Sequence, residues 1–329
     1  MIFVDNENIT DPHINLAIEE YLLQSHAVDD DILLFYINEP SIIIGRFQNT
    51  IEEINRAYVE EHGIHVVRRL SGGGAVYHDL GNLNYSLITR GGLEDATNFK
   101  KFTAPVIKAL QKLGIPADLS GRNDICIEER KISGNAIYNK PRGNVCHGTL
   151  LFDTDLSQLS KSLNVKQEKI ASKGVKSVRS RVANISEYLE AGIDVEALRQ
   201  HIIKTIFEGE DPIPQYHLNE EDWKAIHKIS ADRYQTWEWN YGQNPEFNIE
   251  KTHRFPFGQV NARIQVDNGI IQNIKFFGDF FGSREIEELE KALLNVRYEK
   301  EYLKKALENM PVEKYIGGMD KEKFVDFLY

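Results

Sequence analysis

Dense runs of Ile, Leu, Phe and Val alternate along this chain with stretches in which apolar residues recur every three or four positions. The second pattern marks amphipathic helices and the first marks buried strands. Asp11-Pro12 sets a capping carboxylate before a proline, and predicts a helix running to about residue 25 through Leu16, Glu19, Glu20, Tyr21 and Leu22. Strands follow at 31–38 and 41–45, with Pro40 in the turn, and then a charged helix over 51–61 closed by Gly63. A strand at 64–67 breaks into Gly72-Gly73-Gly74, resumes at Ala75, turns at 79–82 and returns to Thr89. Phe102, Val106, Leu110 and Leu113 share one face of a helix over 98–113, whose regular part Pro105 is expected to delay by a turn. A hairpin joins 125–127 to 131–136, and a strand is expected at 150–152. Helices are expected at 155–163, 166–172, 194–208 and 220–229.

An aromatic-rich stretch at 234–242 and the breaker Asn244-Pro245 then change the pattern. Strands at 248–255, 259–266 and 270–277 follow, the last two joined by Asn268-Gly269, a tight-turn pair. Helices at 284–295, 299–308 and 320–329 come after. Strands first and helices after describe a small α+β unit. The reading is an α+β protein with a large domain at 1–245 and a smaller one at 246–329.

Composition narrows the function. With 329 residues, 41% hydrophobic and 27% charged, the chain can bury a sizeable core. No apolar run reaches the roughly 20 residues of a membrane helix, and Met1-Ile-Phe-Val-Asp5 lacks a basic and apolar leader, so the expected location is cytoplasmic with no membrane partner. A net charge of −11 argues against binding nucleic-acid backbones, though a local pocket for one nucleotide stays open. The two cysteines, Cys126 and Cys146, lack metal spacing.

Candidate chemistry gathers around the triple glycine. Glycine costs the most backbone entropy, so three in a row suit a place where another group lies against bare backbone and free N–H groups. Arg68 and Arg69 precede it and His78-Asp79 follow; the plain alternative is a glycine-rich hairpin with solvated arginines. Gly45 to Asn49 ends a strand in polar groups that face either a site or solvent. Lys131 lies close to Ser133 and Gly134, where it either meets an anion or is solvated. The stretch 173–182 holds four cations, two hydroxyls and a glycine, composition suited either to a loop that closes over phosphate or to a solvated one. No Gly-Lys-Ser/Thr follows the glycines and no helix opens there, which excludes a Walker loop and a dinucleotide fingerprint. Spacing alone therefore gives a nucleotide or acyl-phosphate site and no substrate.

The residues themselves go further. Arg68-Arg-Leu-Ser-Gly-Gly-Gly-Ala-Val-Tyr-His-Asp-Leu-Gly-Asn82 closely resembles the signature loop of lipoate–protein ligases. Gly121-Arg-Asn-Asp124, Arg130-Lys-Ile-Ser-Gly134 and His147-Gly-Thr-Leu-Leu151 resemble further family blocks in the same order, and 173–181 resembles the adenylate-binding loop. The likeness runs on through Trp237-Glu-Trp-Asn240 and covers essentially the whole chain.

The resemblance implies a biotin/lipoyl ligase-type catalytic domain, related to class II aminoacyl-tRNA synthetases, with a C-terminal accessory domain. It implies a ligase that joins lipoate and ATP into lipoyl-AMP. The lipoyl group then passes to a lysine of acceptor domains, those of 2-oxoacid dehydrogenase complexes and the glycine cleavage H protein. Carried over, Arg69, Gly74, Ala75, Val76, Tyr77, Ser180 and Arg181 hold the nucleotide, and Ser71, Gly72, Gly73 and His147 line the lipoyl side. Lys131 bridges lipoyl carbonyl and α-phosphate, and Asp124 with Asn123 binds Mg²⁺. One departure raises a rival. Cys146 stands where related octanoyltransferases place a nucleophile, which implies acyl transfer through a thioester without ATP. A non-catalytic lipoyl or nucleotide sensor is the remaining alternative.

Overall fold

The computed structural model describes residues 1–25, 27–90, 98–164, 181–190, 192–242 and 248–329. The helix expected at 166–172, most of the basic segment and the Asn244-Pro245 breaker lie outside them. In chain order the strands are β1 (Ile2–Asp5), β2 (Ile32–Ile37), β3 (Ser41–Ile44), β4 (His65–Arg68), β5 (Val76–His78), β6 (Asn82–Thr89) and β7 (Ala117–Ser120). They continue as β8 (Asp124–Ile127), β9 (Arg130–Lys140), β10 (Gly143–Leu151), β11 (Gln215–Tyr216), β12 (Ile249–Phe255), β13 (Gly258–Asp267) and β14 (Ile270–Gly278). Contacts divide the chain into two compact units. One holds 1–43, 53–67 and 76–236, and the other holds 44–52, 68–75 and 237–329.

The first unit is built on an eight-stranded sheet, β11-β1-β2-β6-β10-β9-β8-β7. It is antiparallel from β2 to β7, while β1 runs parallel to both its neighbours. A small sheet, β4-β3-β5, carries the residues flanking the glycines. The first helix spans Pro12–Gln24, and the Asp11 carboxylate accepts from the His13 N–H at 2.8 Å, the cap its sequence called for. Helix Phe99–Lys112 buries Phe102, Val106 and Leu110 as expected, but it is regular from its first turn. The Asn98 side chain caps it, and Pro105 sits inside. The helix expected over 51–61 is two, Thr50–Glu53 and Arg56–Glu61. The break has a cause: Ile54 forms a bridge with Leu163, the Glu53 carbonyl accepts from Asn164 N–H at 2.9 Å, and Asn55 caps the second piece. β9 and β10 are longer than their sequences suggested, because Pro141-Arg142 occupies a tight turn between two half-polar strands.

In the second unit β12, β13 and β14 form an antiparallel meander. Asn268 and Gly269 both adopt positive φ, 50° and 77°, the geometry of the expected two-residue turn. Helices Ile286–Leu293, Lys300–Ala306 and Lys321–Leu328 bury Leu289, Leu303 and Phe324 with Ile264, Ile274 and Phe276 of the sheet. Phe47 joins this core, its ring stacked on Phe280 at 4.7 Å. Among the described residues no helix is long and apolar enough to cross a membrane.

Candidate active site

Strands β8, β9, β10 and β6 bring one group of the expected residues together. The β8–β9 hairpin sets Asp124 opposite Gly134, and a bulge after Ile125 shifts the register so that Cys126 faces Lys131. The Lys131 ammonium lies 2.8 Å from Asp124 Oδ1, and both side chains are about one-third exposed (35% and 36%), open enough to meet a ligand. Gly134 makes room for this pair, since a Cβ there would stand 2.8 Å from Lys131 Nζ. The basic segment ends beside the same strand: Val182 bridges Lys131 in parallel, and the Ala183 N–H donates to the Lys131 carbonyl at 2.9 Å. Arg181, partly buried, immediately precedes that bridge, while Ser180 lies outside the described residues.

Beneath the ion pair is a polar network. The Asn123 amide donates to the Asn135 carbonyl at 2.6 Å, and the Asn123 carbonyl accepts from the Asn135 N–H at 2.9 Å and its amide at 3.0 Å. The Asn135 amide also donates to Ser133 Oγ at 3.2 Å, and the Tyr85 hydroxyl donates to Asn135 Oδ1. Gly148 on β10 is required by this network, because a Cβ there would fall 2.1 Å from Asn135 Oδ1. His147, next to it, is hydrogen-bonded through Nδ1 to Glu19 Oε2 at 2.8 Å, and the Tyr36 hydroxyl donates to Glu19 Oε1 at 3.0 Å. Tyr85, Asn135, Glu19 and Tyr36 were not singled out from the sequence. The one available signal was Glu19-Glu20 on a helix otherwise lined by Leu16, Ile18 and Leu22.

The glycine loop belongs to the second unit. Arg69 is buried and curls over the loop, with Nε donating to Ser71 Oγ at 3.0 Å and Nη2 to the Gly72 and Gly74 carbonyls at 2.6 and 2.8 Å. The first two glycines have a packing reason. A Cβ on Gly72 would fall 2.3 Å from the Phe280 carbonyl oxygen, and Gly73, at φ 91°, donates its N–H to that same oxygen at 3.3 Å. Gly74 faces open space, with nothing within 4 Å of an added Cβ. Val76 and Tyr77 follow on β5 in the first unit. Burial, helped by the Asp79 and Asp155 carboxylates, pushes the Tyr77 hydroxyl up to about 12.

Arg68 is fully buried and acts as a clamp within the second unit. Its guanidinium donates to the carbonyls of Gly45, Gln48 and Trp239 at 2.9, 2.6 and 2.8 Å and to Thr50 Oγ1 at 2.7 Å. The Trp239 indole N–H returns a bond to the Arg68 carbonyl at 2.8 Å. Burial, with Arg46 and Arg69 adding repulsion, lowers this guanidinium to about 9, so it is charged at neutral pH. The Arg46 guanidinium lies over the Trp239 ring at 4.5 Å and pairs with Glu287 at 2.6 Å.

Cys146 has no exposed surface, and burial together with the Glu19 carboxylate pushes its thiol well above the ordinary range. A thiol held neutral in the core cannot supply a thiolate nucleophile. Cys126 is also free, buried and raised by burial.

Comparison with known proteins fits this architecture. Residues 11–207 match the model of the lipoyl protein ligase A/B catalytic domain, and 244–328 match the bacterial lipoate protein ligase C-terminus. The chain is 52% identical to the lipoate-protein ligase LplJ of Bacillus subtilis, covering all of both sequences. Among solved structures, Plasmodium falciparum LipL1 in complex with lipoate superposes with a TM-score of 0.82 at 26% identity, over 99% of this chain and 97% of that one. A lipoate protein ligase of a bipartite lipoylation system from Thermoplasma acidophilum, studied with its E2 lipoyl domain, gives 0.65 at 30% identity over 75% and 98%. The chain belongs to the lipoate–protein ligase family, with both the catalytic domain and the bacterial C-terminal domain.

Proposed function

We infer that the chain joins free lipoate to a lysine of acceptor proteins in two steps that together consume one ATP. In the first, a lipoate carboxylate oxygen attacks the α-phosphorus of ATP and pyrophosphate leaves. In the second, the neutral ε-amine of the acceptor lysine attacks the lipoyl carbonyl, AMP leaves with the bonding electrons, and the amine proton is lost as the amide forms. The observation that carries this reading is the partly exposed Lys131 ammonium, held by Asp124 at 2.8 Å over a glycine that leaves it room.

Both steps gather negative charge on oxygen, and a fixed cation is the direct remedy. Lys131 takes that role, bridging the lipoyl carbonyl and the α-phosphate. Gly74 and the backbone of Ala75, Val76 and Tyr77 hold the nucleotide, with Arg69 fixing the loop that presents them. Ser71, Gly72, Gly73 and His147 line the lipoyl chain, Glu19 orienting the imidazole. Ser180 and Arg181 belong to a segment that shields the adenylate from water.

Asp124 keeps Oδ2, and Asn123 keeps Oδ1 as its only side-chain acceptor. One carboxylate and one amide oxygen suit Mg²⁺, which favours few protein ligands plus phosphate oxygens and water; no larger cluster of metal-binding side chains occurs among the described residues. When bound, Mg²⁺ neutralises the triphosphate. The acceptors are lipoyl domains of 2-oxoacid dehydrogenase complexes and the glycine cleavage H protein, met in the cytoplasm. Residues 1–245 form the catalytic region and 246–329 the accessory one.

The test is pyrophosphate release that depends on lipoate. Release without acceptor, followed by acceptor lipoylation, is expected; acyl transfer that proceeds without ATP would overturn the reading.

A further inference from the structure

The Lys131–Asp124 pair stands on a polar scaffold that a plain β-hairpin does not need. Asn123 immediately precedes Asp124, and Asn135 immediately follows Gly134, the residue that gives Lys131 its space. Three hydrogen bonds between Asn123 and Asn135, at 2.6, 2.9 and 3.0 Å, close the open end of the β8–β9 hairpin where those residues lie. The 2.9 Å bond is ordinary backbone pairing, and the other two add a side-chain amide from each residue to the backbone carbonyl of the other. Amide geometry fixes direction as well as distance.

The scaffold is itself anchored from behind. Asn135 is only 3% exposed, and its Oδ1 accepts the Tyr85 hydroxyl from β6, two strands away. Tyr85 is fully buried, and burial pushes its hydroxyl well above the usual tyrosine value, so it is a permanent donor. Gly148 on the intervening β10 leaves the gap through which this bond passes, and Thr149 beside it accepts the Gly134 N–H at 3.1 Å. Four strands thus converge on two neighbouring backbone positions. A buried network with every member satisfied rigidifies its surroundings, whereas a partly satisfied one destabilises them.

We propose that Asn135 and Tyr85 are positioning residues for adenylation: they hold the Asn123-Asp124 backbone and the Gly134 gap so that Asp124 and the Lys131 ammonium meet the triphosphate in one geometry. This rests on the roles given above to Lys131 and Asp124. Asn135 is 3% exposed and Tyr85 is fully buried. Both act through the ion pair, so the loss on removing them falls on the chemical step and on Mg²⁺·ATP, leaving lipoate affinity intact.

Two variants test it. Tyr85→Phe deletes one hydroxyl and keeps the ring, and Asn135→Leu removes the amide at similar volume. In the full-length protein, kcat for lipoate-dependent pyrophosphate release is expected to fall about 10-fold in the first and about 100-fold in the second, the range of a misplacement near 1 Å. KM for lipoate should stay within about two-fold, and the affinity for ATP measured calorimetrically should lose several-fold in the presence of Mg²⁺ and not in its absence. Transfer from chemically prepared lipoyl-adenylate should be less affected than adenylation. A merely structural role would lower the folded fraction and scale every rate together without moving Mg²⁺-dependent binding, and that outcome overturns the proposal. Asp124→Asn keeps the two failures apart. If it leaves Mg²⁺-dependent ATP binding unchanged, the role of Asp124 is wrong. If it weakens that binding and Tyr85→Phe and Asn135→Leu do not, only the positioning inference falls.

Discussion

Replacing Gly134 by alanine separates the activity of the ion pair from the stability of the sheet. An alanine Cβ at this position stands 2.8 Å from Lys131 Nζ and 3.1 Å from Cε. Ordinary van der Waals contact begins at about 3.5 Å, so the ammonium moves by about 0.7 Å. Its 2.8 Å bond to Asp124 then stretches past the normal range for an N–H···O bond. A displacement of about 1 Å in a reacting group costs up to about 100-fold in rate, and a loss of about 10- to 100-fold in kcat for pyrophosphate release is expected. Stability runs the other way. Gly134 lies in a strand without positive φ, and the atoms in the way are the far end of a flexible side chain. Alanine therefore removes unfolded-state freedom, a gain of about 0.4–1 kcal/mol. The partly exposed ion pair that it disturbs is worth about 0–1 kcal/mol. The assay pairs initial-rate pyrophosphate release with denaturant unfolding of the same preparation. A variant that keeps wild-type kcat, or that loses activity only in proportion to its loss of fold, would refute the reasoning.

Other outcomes follow from the same contacts. Lys131→Ala should abolish lipoyl-adenylate formation with an unchanged circular dichroism spectrum; full activity would remove lysine from the mechanism. Cys146→Ser should keep acceptor lipoylation, while the buried hydroxyl lowers stability by about 1–3 kcal/mol unless it finds a partner. Complete loss of turnover in well-folded protein would revive the thioester route. Arg68→Met leaves the carbonyls of Gly45, Gln48 and Trp239 without their donor. Leaving a buried acceptor without its donor costs about 1–3 kcal/mol, to be seen as a lower denaturation midpoint, and an unchanged midpoint would show that water replaces the guanidinium.

Local rules made much of the fold legible. Asp11-Pro12 announced a helix start, and Asn268-Gly269 announced a two-residue turn, because each acts through its own backbone neighbours. The helix expected over 51–61 failed for the opposite reason: its interruption at Ile54 is enforced by Leu163, more than a hundred residues away. Lys131 beside Ser133 and Gly134 was visible as a site feature, since the hairpin that unites them is local. Asn135, Tyr85 and Glu19 were not visible. Their partners are Asn123, Asn135 and His147, and only the pairing of β6 with β10 and the packing of the first helix bring most of these side chains within reach. The triple glycine was legible as a demand for bare backbone, but the group lying against Gly72 and Gly73 is the Phe280 carbonyl. Sequence pattern reports that space is needed and stays silent on what fills it.

The makeup of the second unit bears on how this protein can be re-engineered. Its members are 237–329 together with 44–52 and 68–75, tied by Arg68 to Trp239 and by Gly73 to Phe280. A C-terminal cassette exchanged at residue 245 would therefore arrive without the two short inserts it was selected to fit. Chimaeras between relatives should be drawn in three pieces, with both inserts taken from the donor of the C-terminal region.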